Sequence, residues 1–117
     1  MEVSAILRNA RLANARLAAL IERCERYAQL ETRHSARRVE ALEALQRKLD
    51  RHIEEVAELA LEAETRIEAL EDPCQQEILR YRYLDGLGWR DIARRMNYSM
   101  DWVKHMHTRA LREMEGE

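Results

Sequence analysis

Apolar positions in the first 70 residues recur in alternating steps of three and four. From Val3 to about Glu31 they fall at Val3, Ile6, Ala10, Ala13, Leu17, Leu20, Cys24 and Tyr27. A second run takes Val39, Leu42, Gln46, Leu49, Ile53, Val56, Ala60, Ala63, Ile67 and Leu70. Seams of this spacing and length belong to coiled coils. Carried forward, the first seam puts its next core residue at Arg38, whereas the second puts it at Val39. The slip falls in Thr32-Arg33-His34-Ser35, a non-periodic stretch where Ser35 can cap a new helix. The spacing therefore predicts a fold-back and an antiparallel helical hairpin. A continuous rod of about 70 residues, paired in a parallel dimer, is the rival arrangement. In the hairpin, positions whose numbers sum to about 73 meet: Ala10 with Ala63, Ala13 with Ala60, Leu17 with Val56, Leu20 with Ile53.

Asp72-Pro73 marks the next boundary, because Asp caps helix N-termini and Pro suits the first helical position. A third helix then carries Ile78, Leu79, Tyr81 and Leu84, and Gly86 can end it in a left-handed conformation. Leu87, Ile92, Ala93 and Met96 give a fourth apolar stripe of helical period. Asn97 tolerates the left-handed conformation that a sharp turn needs, and Ser99 can cap a fifth helix. In that helix Val103, Met106, Ala110 and Leu111 face inward, and Met100, Asp101, Lys104, His105, Thr108 and Arg109 face outward. Small Ala93 at the crossing and Val103 ten residues on have the spacing of a helix-turn-helix, whose second helix enters the major groove. A plain helical hairpin within a bundle would bury the same apolar set. Tyr83 and Trp89 read as core aromatics.

The run LGWRDIARRMNYSMDWVKHMHTRALR resembles region four of bacterial sigma factors. That pattern closes on a capping Ser or Thr, Val/Ile-Arg-Gln-Ile, then Ala-Leu-Arg-Lys-Leu. The matching residues are Ser99, Val103, Lys104, His105, Met106, Ala110, Leu111, Arg112 and Met114. The longer stretch LRYRYLDGLGWRDIARRMNYS followed by VKHMHTRAL is similar to small phage-encoded sigma-like regulators of the RinA and ArpU type. Those join a helical N-terminal half to such a helix-turn-helix, so the resemblance covers most of the chain. Gly88 departs from the usual capping Ser or Thr, and Asn97 from the usual Gly. The resemblance implies a sequence-specific transcriptional regulator, an activator of phage or prophage genes, that binds double-stranded DNA and has RNA polymerase as a further candidate partner. Met100, Asp101, Lys104 and His105 are then expected to read base edges. Arg90, Arg94, Ser99, Thr108, Arg109 and Arg112 are expected along the phosphates.

Composition narrows the class. Three Gly, one Pro, no Phe and no strand-like alternation point to an all-α fold of long helices. Residues 1–71 form the expected hairpin or coiled coil, for oligomerisation or partner binding, and residues 72–117 the expected helix-turn-helix domain. Cys24 and Cys74 stand 50 apart without neighbouring ligands and read as buried free thiols of a reducing cytoplasm. No signal peptide or membrane span is legible. Charge is uneven: residues 1–38 are net +4, residues 39–71 net −6, and residues 72–117 neutral. Lys104, Arg109 and Arg112 outnumber Asp101 over residues 99–112, a local excess that argues for modest affinity from one copy. A homo-oligomer, a dimer or larger, is therefore expected.

No enzyme is legible. There is no Gly-rich phosphate loop or nucleophile elbow, and the RHIEEV run around His52 lacks the second His of a zinc-protease motif. His105 and His107 are two apart and point to different faces of a helix, which makes a poor metal pair. His107 is expected inside with its ring nitrogen hydrogen-bonded, and His105 outside. Glu54, Glu55, Glu58 and Glu62 read as a solvated face that also opposes the Arg-rich first helix. No cofactor, metal or catalytic residue is expected. A second class stays open, a DNA-binding assembly protein such as a small terminase subunit, which also joins a helix-turn-helix to oligomerising helices. A purely structural coiled coil is the third.

Overall fold

The computed structural model describes residues 2–29 and 36–116, and they are helical without a strand among them. The elements are α1 (Val3–Gln29), α2 (Ala36–Glu68), α3 (Pro73–Leu79), α4 (Trp89–Met96) and α5 (Met100–Met114). A π-helical turn over Arg80–Leu84 extends α3.

Helices α1 and α2 pack side by side and antiparallel. Ala10 and Ala63 share one buried cluster near the base, while Leu20 lines a groove with Lys48 and His52 further out. The chain thus forms the hairpin and not the continuous rod. The expected turn at Thr32–Ser35, with its Ser35 cap, lies outside the described residues. Ala10 and Ala63, expected to face each other, are both fully buried and belong to that one cluster.

Further out the seam departs from expectation. Ile53, expected against Leu20, is 44% exposed, and half-buried His52 takes the inward place instead. Val39 and Leu42, also expected in the seam, remain exposed at 45% and 42%. The cause is geometric. Two helices cover only a narrow strip of each other, and the α2 stripe is wider than that strip, so one flank is left outside. No residue between positions 11 and 55 among those described is buried.

The base of the hairpin is anchored in the rest of the chain. Ile6, Leu7, Ala10, Ala63, Ile67 and Leu70 form one core with Leu79, Tyr83 and Ala110. Asp72 Oδ1 accepts from the Cys74 backbone N–H at 2.8 Å, and Pro73 follows, so α3 starts as the sequence predicts. Arg80 of the π turn reaches back to Glu64 of α2, with its Nη2 2.6 Å from the carboxylate. That carboxylate, accepting a hydrogen bond from the guanidinium, raises the Arg80 pKa above its ordinary value. Gly86 adopts a positive φ of 71°, and the Leu87 N–H donates to the Tyr81 carbonyl at 2.9 Å, closing the helix end. The outer half of the hairpin projects from this body. Its reach gives a radius of gyration of 18.2 Å, against about 13 Å for a compact chain of this length.

Candidate nucleic-acid interface

A second core holds α4 and α5 together. It consists of Ile78, Ile92, Ala93, Val103 and Met106, with Leu87, Trp89, Met96 and Trp102 packed around it. Helix α4 begins after Gly88, which gives no side-chain cap, and ends at Asn97. Asn97 sits at φ 61°, ψ 41°, the left-handed conformation, and the Tyr98 N–H donates to the Ala93 carbonyl at 3.0 Å. Two residues later Ser99 Oγ accepts from the Trp102 N–H at 3.1 Å and starts α5. Each local expectation at this turn is met.

With Val103, Met106 and Ala110 buried, the opposite face of α5 is open. Met100, Asp101, Lys104, His105, Thr108, Arg109 and Arg112 are all exposed. Positions 101, 104, 105, 108 and 112 fall on one stripe at helical spacing, and 109 flanks it. Arg90, Arg94 and Ser99 are exposed beside it. Over residues 89–112 six basic side chains stand against two acidic ones. Among the described residues none of Arg90, Arg94, Lys104, Arg109 and Arg112 is held in an ion pair. A helix of this length spans ~22 Å, and its open face is free to meet a polyanion.

Two hydroxyls in the expected phosphate set differ in what they can offer. Ser99 uses a lone pair on its cap, which leaves its O–H to donate. Thr108 already donates to the Lys104 carbonyl at 3.1 Å, so only its lone pairs remain. A phosphate oxygen needs a donor, and in this conformation Thr108 supplies none.

Aromatic side chains pack on both sides of α5. Tyr98 stacks on Trp102 with ring centroids 3.8 Å apart at 21°, so Trp102 packs on the turn as well as on the second core. On the inner side of α5, Tyr83 Oη and His107 Nε2 are 2.6 Å apart. Trp89 meets the His107 ring edge-on at 4.8 Å, and the Arg82 guanidinium lies over Trp89 at 4.2 Å. Burial, helped by the nearby Arg82 charge, pushes the His107 pKa down from 6.5 to about 4. Burial also raises the Tyr83 pKa. His107 thus points inward with its ring nitrogen engaged, and His105 outward, as their spacing implied. No group of three or more His, Cys, Asp or Glu that could hold a metal ion occurs among the described residues. None of the described helices is long and apolar enough to cross a membrane.

No family model, curated protein or solved structure matches the chain.

Proposed function

We propose that this chain is a sequence-specific, double-stranded-DNA-binding transcriptional regulator, an activator of phage or prophage genes working in the host cytoplasm. Helices α4 and α5 act as its helix-turn-helix of the sigma-region-four kind, with α5 in the major groove. The observation that carries this reading is the open face of α5. It displays Met100, Asp101, Lys104 and His105 at its start, flanked by cations that no carboxylate among the described residues neutralises. A major groove about 12 Å wide admits such a helix, and the flanking cations fall where phosphates pass. RNA polymerase is a partner on the resemblance alone.

The working species is a homo-oligomer built through the hairpin. Its exposed flank carries Val39, Leu42 and Ile53, a stripe that water does not favour. A second copy suits it, because α1 holds five Arg against two Glu while α2 holds six basic residues against nine acidic ones. The same flank supports the second reading, an assembly protein such as a small terminase subunit.

Selection of bound sites from random duplexes, with footprinting and light scattering, tests both. A regulator recovers one preferred site, bound ~10³-fold or more over random DNA. A ring-shaped oligomer that binds DNA without preference indicates the assembly protein. Absence of DNA binding at low salt sinks both.

A further inference from the structure

Between α1 and the α4–α5 pair lies a cavity of about 360 Å³, within the size range of small-molecule sites. Tyr83, Trp89 and His107 give it an aromatic floor, and Arg8, Arg11 and Arg82 stand around it. Among the described residues no carboxylate lines it. Among the described residues none of the three arginines has an ion-pair partner. Arg82 donates to the Leu87 carbonyl at 3.4 Å and lies over the Trp89 face. Burial lowers the Arg82 pKa, and the Arg11 charge lowers it further, as expected for like charges gathered without a counter-charge. The floor adds no charge of its own at neutral pH, since His107 is neutral there. The π turn, a feature found often at functional sites, brings consecutive Arg82 and Tyr83 to the same cavity.

We propose that this cavity binds a small aromatic oxyanion. A flat ring lies against Trp89 and His107, and its carboxylate or phosphate is held by Arg8, Arg11 and Arg82. Guanidinium forks match both groups, and planar rings suit an aromatic floor. The occupant touches α1, the π turn, α4 and α5 together, so it fastens the hairpin base to the two exposed helices. This holds whether or not the chain binds DNA.

Titration of the full chain, followed by the NMR signals of the Trp89 indole N–H and the His107 ring, tests the assignment. The probes are 2-naphthoate, 2-naphthyl phosphate, neutral 2-naphthamide and inorganic phosphate. The first two should give saturable shifts at both residues, and comparing them says which oxyanion fits. Each should bind about tenfold or more tighter than the amide or inorganic phosphate, a difference of one charge-assisted contact. Arg11→Ala should lose about that factor, and Ala15→Phe, at an exposed position lining the cavity, should abolish binding. If Ala15→Phe does not fold, Arg11→Ala decides. Absence of saturation at millimolar probe overturns the proposal, as does equal affinity for the amide. Inorganic phosphate binding as tightly as the naphthyl anions would reduce the site to a plain phosphate patch, such as a nucleic-acid backbone uses, and overturns it too.

Discussion

Tyr83 Oη lies 2.6 Å from His107 Nε2, and this contact ties the π turn to the middle of α5. It joins the first core, which contains Tyr83, to the helix whose outer face is the candidate interface. With its pKa at about 4 the imidazole is neutral at pH 7. The shift has a consequence for stability. A His whose folded pKa is below its unfolded value holds fewer protons when folded, so protonation favours the unfolded chain. Stability should fall as pH drops from 6.5 toward 4, and level off below. The loss is about 1–2 kcal/mol, less than the whole shift implies because the ring is only partly sheltered from water. Urea unfolding of wild type and His107→Gln at several pH values checks it. Parallel pH profiles for the two proteins would remove His107 as the cause.

The packing of the hairpin base gives a second expectation. Ala10 and Ala63 are both fully buried in one cluster. Ala63→Leu should therefore cost about 1–3 kcal/mol through overpacking. Ala60→Leu should cost less, because Ala60 is only half-buried. Urea midpoints rank the two, and an equal or reversed order would place the narrow layer elsewhere.

The limits of the sequence are clearest in this hairpin. Helix ends were legible wherever one residue's own chemistry decides the backbone: Asp72 as cap, Gly86 and Asn97 as left-handed residues, Ser99 as the next cap. The shared burial of Ala10 and Ala63 was legible because a heptad fixes which residues can face each other. The choice of His52 over Ile53 was not, since both flank the same stripe and only the partner helix decides which is covered. The π turn has no local signature. Arg8 and Arg11 lie over 70 positions from Arg82, and no periodicity links them to one cavity. The Thr108 hydroxyl was counted among donors because its use by the Lys104 carbonyl is a rotamer choice.

Oligomerisation through the open flank of α2 can be broken without touching a core. Leu42 and Ile53 are exposed in the single chain, so Leu42→Asp with Ile53→Asp should leave helix content unchanged. Light scattering should find the wild type at twice the chain mass or more, and the double variant at the chain mass. Wild type as a monomer at micromolar concentration would discard the flank as a self-interface.

The reading set on α5 yields the last expectation, and it turns on how two groups of side chains fail. Lys104 lies on the open stripe near the capped start of α5, where a helix entering the groove meets base edges. Arg94 and Arg109 flank that stripe, where they would meet phosphates. If Lys104 reads a guanine, Lys104→Ala should cost about 1–3 kcal/mol on the selected site and relax preference at one base pair. The same variant should change random-DNA binding far less. Arg94→Ala and Arg109→Ala should weaken both DNAs alike, and reduce the log–log salt slope by about one unit each. Thr108→Val, which keeps the shape but removes a hydroxyl already bonded to its own helix, should change binding little. Fluorescence anisotropy over a salt series on both duplexes measures all four variants. Equal losses on both DNAs for Lys104→Ala would take it out of the reading set. If none of the three charge-removing variants lost affinity, the DNA surface would have to lie off α5.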